Sequence, residues 1–379
     1  MAVSDPHVIA EFMNSLEKKL DILRKCYVQD GGFGKLAADS AEAMNGGKYA
    51  AFISVCDINT RASVLRGAGD SPEEAWESAC RNAREYVRKN GLNPAWVKSD
   101  ITVRSEKVTF TKLEELIAKS RNEFFRRGIS FDEGMHTALI EGEINGSRVI
   151  TYKEHKIELT RVNKRLSACG LRTLTAFPEE VRLFDCRSFF TDGGGVYPLY
   201  ESGNNCGRRI ISKFDDKTAL EVIETAAQYL ENMVGLDGKF EYGYYPIFHK
   251  EIPGYNILRH SSSIWSLICS YRLTKDKFTL NQIQKAIGYM VANTFKKYPD
   301  RPGVTNTVYL AEKSKGEVKV GGNAIAVIML TEYMDATGSQ RYRTLCEELG
   351  NGIMELFDKR DGSFFLSLIH ISEPTRLRC

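Results

Sequence analysis

The feature that most constrains the fold of this chain is an alternation of two kinds of predicted helix in its second half. Amphipathic helices are predicted over about 216–234, 279–296 and 340–357, because apolar residues recur there at three- and four-residue spacing. Between them, residues 261–272 and 323–334 are apolar or small nearly all round, which is typical of helices buried on all sides. The order outer, inner, outer, inner, outer predicts a layered helical array.

The loops of this region repeat as well as its helices. Asp237-Gly238-Lys239-Phe240 follows the first outer helix and Asp361-Gly362-Ser363-Phe364 follows the third, whereas Asp300-Arg301-Pro302-Gly303 follows the second. This combination resembles the (α/α) toroid, or six-hairpin, superfamily of glycoside hydrolases, uronic-acid hydrolases and lyases, sugar epimerases, terpene cyclases and lanthionine cyclases. The resemblance implies an all-α ring around a central cavity. The alternative is an open helical array without a cavity.

The first half of the chain predicts an α+β fold. A β pattern begins at Tyr49, and Leu65-Arg66-Gly67-Ala68-Gly69 precedes a helix that Ser71 and Pro72 should start. Residues 49–90 resemble the AMMECR1-type α/β domain. That family carries a cysteine in its Leu-Arg-Gly turn, and Ala68 occupies the position here, which removes the implication of a reactive thiol.

A β-hairpin is predicted further along this half. Two β patterns, over 137–144 and 147–152, flank Asn145-Gly146, and Asn-Gly in such a position is the strongest short-range hairpin signal. Glu141 and Glu143 precede it with the two-residue spacing of a strand, so we expect them on a solvated strand face.

These patterns predict four segments. They are an α/β domain over 1–130, an α+β middle region and linker over 131–213, an incomplete toroid over 214–365 and a tail over 366–379. Leu366 to Arg376 matches the in-frame translation of a transposon-type sequencing adapter, so we expect the tail to be non-native and the toroid to be cut after Phe365. Such a cut predicts exposed apolar surface on the inner helices.

Composition limits the classes of partner. The chain has 52 Lys and Arg residues against 49 Asp and Glu residues, which gives no electrostatic footprint for nucleic acid or an anionic membrane. No apolar run approaches the ~18 residues of a membrane span, no secretory signal is visible, and the cysteines lack metal-ligand spacing. We therefore expect a cytoplasmic protein without a nucleic-acid partner, membrane span, metal or cofactor. Its oligomeric state stays open.

The candidate site residues lie in and near the loops that precede the two inner helices, since the toroid resemblance implies a pocket lined by such loops. His260 is the candidate general acid or base, and Asp237 and Glu241 are the candidate carboxylate pair of a glycosidase. Aromatic faces, amide groups and a guanidinium suit the rings, hydroxyls and carboxylate of a sugar. The substrate-binding candidates are Tyr255, Asn256, Arg259, Asn306, Tyr309 and Asn323. We expect six side chains to converge in one cavity: Tyr255, Arg259, His260, Asn306, Tyr309 and Asn323.

Each candidate also has a structural interpretation. His260 fits a cap at the start of an inner helix. Arg259 fits an ion pair with Glu241 or Asp237 that holds the loop. Asp237 fits a tight Asp-Gly turn, which its neighbour favours.

Three functional hypotheses follow. The first is a carbohydrate-active enzyme, a hydrolase, lyase or epimerase that acts on a glycan or its precursor. The second is a non-catalytic glycan- or peptide-binding or scaffold protein. The third is a zinc-dependent cyclase-type toroid, whose metal site would lie beyond Phe365 because no suitable Cys/His cluster precedes that residue.

Overall fold

The chain folds into two compact units in the computed structural model. One unit comprises residues 1–212 with 246–249, and the other comprises 213–245 with 250–379. The described residues are 5–29, 31–120, 124–146, 149–151, 154–245, 250–297, 306–312, 316–370 and 373–375. The loop predicted at Asp300-Arg301-Pro302-Gly303 lies outside these residues.

The first unit is an antiparallel sheet with helices. Its elements are α1 (Pro6–Gln29), α2 (Gly32–Ser40), β1 (Tyr49–Cys56), β2 (Ser63–Gly69), α3 (Pro72–Asn90), β3 (Trp96–Thr109), α4 (Phe110–Lys119), β4 (Gly128–Ser130), α5 (Glu141–Gly146), α6 (Leu159–Ala168), β5 (Glu180–Thr191) and β6 (Val196–Leu199). The strand order of the sheet is β2-β1-β3-β5-β4, with β6 paired to β5.

Both faces of β1, which lies between β2 and β3 in the sheet, are buried. Ala51 and Ile53 belong to the apolar cluster formed with α1, α2 and α3, whereas Ala50 and Phe52 belong to a separate cluster with Phe184 of β5. Successive side chains of a strand point to opposite faces, so one apolar strand contributes to two layers. The sheet therefore has a helix-covered face and a second face that is also packed.

The predicted start of α3 is confirmed. The Ser71 hydroxyl accepts a hydrogen bond from the Glu74 N–H at 3.2 Å, and Pro72 occupies the first helical position. A serine cap and a following proline satisfy or remove N–H groups that have no partner within the helix.

The hairpin predicted at Asn145-Gly146 is wrong. These residues end the short helix α5, and the Asn145 amide donates to the Phe125 carbonyl at 2.8 Å while accepting from the Phe125 N–H at 3.1 Å. The solvated strand face expected for Glu143 is also wrong, because this side chain is 1% exposed between Arg66 and Arg165. Pairing between distant segments decided both outcomes.

The second unit combines helices with short strands. Its elements are α7 (Asp216–Asn232), β7 (Tyr244–Tyr245), β8 (Lys250–Glu251), α8 (Ile257–Thr274), α9 (Lys277–Asn293), β9 (Phe295–Lys297), β10 (Val308–Leu310), β11 (Val318–Lys319), α10 (Val320–Thr337), α11 (Arg343–Glu355), β12 (Phe357–Asp358), β13 (Ser363–Phe364), β14 (Ser367–His370) and β15 (Glu373–Thr375). Helices α8 and α10 pack against each other, α7 and α9 pack against α8, and α11 packs against α10.

The all-α toroid expected for residues 214–365 is wrong. The five predicted helices are present, but the strands of this unit pair in small antiparallel sheets, and the described residues form no closed ring of helices. The two predicted inner helices are not buried on all sides either. Trp265 in the first is 36% exposed and Ile328 in the second is 42% exposed, because the neighbouring helices cover only part of each circumference.

The predicted tail contributes strands to the second unit. Ser367 and Leu368 of β14 pair with Lys319 and Val318 of β11. Residues 371, 372 and 376–379 of the tail lie outside the described part. The adapter origin of the tail stays a prediction.

Candidate functional site

The start of α8 organises the candidate site. The Asn256 side chain accepts a hydrogen bond from the Arg259 N–H at 3.0 Å and so caps the helix. The Glu312 carboxylate, from the segment after β10, accepts a hydrogen bond from the Ile257 N–H at 3.3 Å. These contacts fix the first turn of α8, from which Arg259 and His260 project.

A cleft of about 200 Å³ lies beside this turn. The end of α7, residues 240–243 and the first turns of α8 line it. Five of the sequence-predicted site residues are among its lining side chains: Glu241, Tyr255, Asn256, Arg259 and His260. The fold therefore brings together candidates from the two ends of one loop.

His260 is packed in an aromatic box. Its ring centroid lies 5.0 Å from that of Phe240, 5.5 Å from that of Tyr255 and 5.6 Å from that of Tyr289, which stacks on it. The imidazole is 2% exposed. An apolar enclosure of this kind disfavours the charged form of the ring.

The hydrogen bonds of His260 fix its chemical state. Its Nε2 lies 3.0 Å from the Ala286 carbonyl oxygen, and because a carbonyl only accepts, Nε2 carries the proton. Its Nδ1 is buried without a hydrogen-bond partner among the described residues. Burial lowers the pKa of His260 to about 4, so the ring is neutral at pH 7 and offers Nδ1 as an acceptor.

Tyr255 adds a second buried polar atom next to His260. Its hydroxyl has no hydrogen-bond partner within the described part of the chain. Burial raises the pKa of Tyr255, so the phenol stays protonated and keeps its donor. An unpaired donor and an unpaired acceptor therefore lie on adjacent rings of one box.

Arg259 lies over an aromatic ring at the mouth of the cleft. Its guanidinium carbon is 4.6 Å from the centroid of the Tyr242 ring, a cation–π geometry. Among the described residues it forms no ion pair with a carboxylate, so the ion pair considered with Glu241 or Asp237 is not formed. The planar N–H donors of Arg259 are left for other groups.

The two candidate carboxylates are not gathered in the cleft. Glu241 lines it and is exposed. Asp237 lies in a turn outside the lining, where its carboxylate accepts from the Lys239 N–H at 3.0 Å. Gly238 follows with φ +87°, a left-handed conformation that favours glycine. Of the described lining residues, Glu241 alone carries a carboxylate.

Asn306, Tyr309 and Asn323 lie outside this cleft. The buried Asn323 amide accepts from the Leu310 N–H at 2.8 Å and donates to the carbonyls of Leu310 and Lys319, which ties β10 to α10. The buried Tyr309 ring clusters with Leu356. The Asn306 carbonyl accepts from Asn351 at 3.3 Å. Three of the six side chains expected to converge therefore line the cleft, and three do not.

Sequence reasoning missed three contributors to the site. Phe240 and Tyr289 close the box around His260, and Glu312 caps the first turn of α8. The buried stripe of α9 contains Tyr289 and is a sequence signal for packing, but not for a site. Glu312 gives no local signal, because it acts 55 residues away from Ile257.

Comparisons with known proteins identify no family. No protein-family model matches the chain, and the search of curated proteins finds no significant match. In the described part of the chain, no group of three or more His, Cys, Asp or Glu side chains could hold a metal ion. Within the same residues, no helix is both long and apolar enough to cross a membrane.

Proposed function

We propose that the cleft at the start of α8 binds a carbohydrate, and that its ligand is a single sugar ring with a carboxylate substituent. Tyr242 and Tyr255 supply aromatic surface for a ring, and Asn256 and Arg259 supply polar groups beside it. The cleft of about 200 Å³ is smaller than the roughly 300–1,000 Å³ of drug-sized pockets. This size favours one ring over a longer glycan.

The observation that carries the proposal is the pairing of Arg259 with Tyr242. A guanidinium that lies on an aromatic face and lacks a carboxylate partner in the described chain keeps its donors for a ligand. A uronate carboxylate matches the guanidinium bidentately, while the sugar ring can stack on a tyrosine.

Binding without catalysis is better supported than glycoside cleavage. A glycosidase of the usual kind needs two carboxyl groups on opposite sides of the scissile bond, and Glu241 is the single carboxylate among the described lining residues. His260 is a poor general acid, because it is neutral at pH 7 and donates its one N–H to Ala286. The described lining residues therefore supply fewer catalytic groups than a glycoside hydrolase of the usual kind needs.

Titrations with glucuronate and with glucose, monitored by saturation-transfer NMR, test the proposal. We expect saturable binding of glucuronate and weaker binding of glucose. Arg259→Gln should weaken glucuronate binding by about tenfold, the cost of a lost charge-assisted hydrogen bond, and should change glucose binding little. Tyr242→Ala should weaken the binding of both sugars, because both sugar rings are expected to stack on the tyrosine.

Arg272→Gln is the matched control, since Arg272 lies on the same helix but pairs with Glu332. It should leave both titrations unchanged. The proposal would be refuted if neither sugar showed saturable binding. It would also be refuted if Arg259→Gln and Arg272→Gln weakened glucuronate binding equally.

A further inference from the structure

A buried carboxylate in the first unit holds two arginines. Glu143 of α5 accepts hydrogen bonds at one oxygen from Arg66 of β2 at 2.6 Å and from Arg165 of α6 at 2.7 Å. The Cys169 thiol donates to the same oxygen at 3.4 Å, and the other oxygen accepts from the Ile140 N–H at 3.1 Å. Burial alone would raise the pKa of Glu143, but the two guanidiniums hold it below its ordinary value.

A third arginine joins this cluster. Arg61, on the connection between β1 and β2, donates to the Gly142 carbonyl at 3.5 Å. Burial lowers the pKa of Arg61, and the nearby charge of Arg165 lowers it further. Among the described residues, three guanidiniums therefore face one carboxylate, which leaves an excess of two positive charges.

The cluster also leaves donors unused. The Nε atoms of Arg66 and Arg165 are buried without a hydrogen-bond partner in the described chain. The side chains of Arg66 and Arg165 are 10% and 16% exposed, so water compensates little for their charge. Uncompensated charge and unpaired donors in a largely buried site are costly, unless an anion supplies both the charge and the acceptors.

We propose that Arg61, Arg66 and Arg165 form an oxyanion-binding site that takes a phosphate group. Glu143 is the positioning residue, because it holds the guanidiniums of Arg66 and Arg165 side by side, while their Nε donors stay without a partner in the described chain. A phosphate offers several acceptor oxygens and up to two negative charges, which balance the excess. This site belongs to the first unit and does not depend on the carbohydrate proposal.

Isothermal titration of the full chain at constant ionic strength tests the site, with inorganic phosphate in one arm and methyl phosphate in the other. We expect one equivalent to bind in at least one arm. The ligand that binds more tightly shows whether the phosphate group comes from a free phosphate ion or from a phosphomonoester. Arg61→Gln should weaken binding by about tenfold. Arg61 suits the test because it is half-buried and its guanidinium makes no hydrogen bond to Glu143.

Arg165→Gln provides a second variant, and Arg88→Gln provides the control. Arg88 is exposed at the end of α3, outside the cluster. We expect Arg165→Gln to weaken phosphate binding and Arg88→Gln to leave it unchanged, with folding of each variant checked by its thermal melt. Absence of saturable binding in both arms, or an equal loss in Arg88→Gln, overturns the proposal.

Discussion

At the scale of single residues, burial sets the chemistry of His260. The imidazole donates one N–H to Ala286, and three aromatic rings surround it. A protonated ring in this box would hold a charge without solvent. The side chain therefore stays neutral, with Nδ1 unprotonated, and contributes to the lining of the cleft.

His260 should make stability depend on pH. Its pKa is about 4 in the folded chain and 6.5 in the unfolded chain, so the unfolded chain binds more protons between these values. Stability should therefore fall as pH drops through 6.5, with a loss of about 3 kcal/mol by pH 4. Denaturant unfolding at pH 7 and pH 4.5 measures this. His260→Gln should remove that part of the slope, and an unchanged slope in the variant would contradict the assignment.

At the scale of elements, close packing explains a glycine in the Leu65-Arg66-Gly67-Ala68-Gly69 segment. A Cβ atom on Gly67 would lie 2.6 Å from the Ala75 carbonyl oxygen and would also meet the Ala79 nitrogen. Both atoms are backbone of α3, so neither can move without shifting the helix. Gly67 therefore allows β2 and α3 to approach, and this approach carries Arg66 in β2 to its place beside Glu143.

Gly67→Ala should destabilise the first unit. Overpacking against a helix backbone typically costs about 1–3 kcal/mol. Gly288→Ala is the matched control, because Gly288 is exposed within α9 and a Cβ there meets no atom within 4 Å. The control should gain up to about 1 kcal/mol from helix propensity. Urea unfolding distinguishes the two, and a stabilising Gly67→Ala would show that β2 and α3 are not packed as described.

At the scale of the whole molecule, each unit has its own apolar core. Leu267, Met290 and Leu330 belong to the core of the second unit. Leu16 and Ile53 belong to a core of the first. A unit with its own core can unfold as a separate cooperative block.

Leu267→Ala should weaken the second unit selectively. Removing a fully buried leucine side chain costs about 2–5 kcal/mol. Hydrogen exchange followed by mass spectrometry should show faster exchange in α8, α9 and α10 and unchanged exchange in β1, β3 and α3. Val87→Ala, in the core of the first unit, should give the reverse pattern. Acceleration in both units from either variant would contradict separate cores.

The sequence by itself determined the features that depend on near neighbours. The five helices of the second half follow from the spacing of apolar residues, which a helix turns into one face. The cap at Ser71 and the turn at Asp237-Gly238 follow from local hydrogen bonds and from the conformations that each residue allows.

Tertiary structure alone decided which segments meet. Asn145-Gly146 has the local preference of a hairpin, yet contacts with Phe125 place it at the end of a helix. Glu143 became a buried ion-pair centre through Arg66, which lies 77 residues earlier in the chain. The helices of the second half do not form the expected all-α ring. Helix periodicity in the sequence indicates which face of a helix is apolar, but it does not indicate which element covers that face. Hydrogen bonds and conformational preferences among neighbouring residues depend on a short stretch of sequence. Which distant segments contact each other depends on the packing of the complete unit.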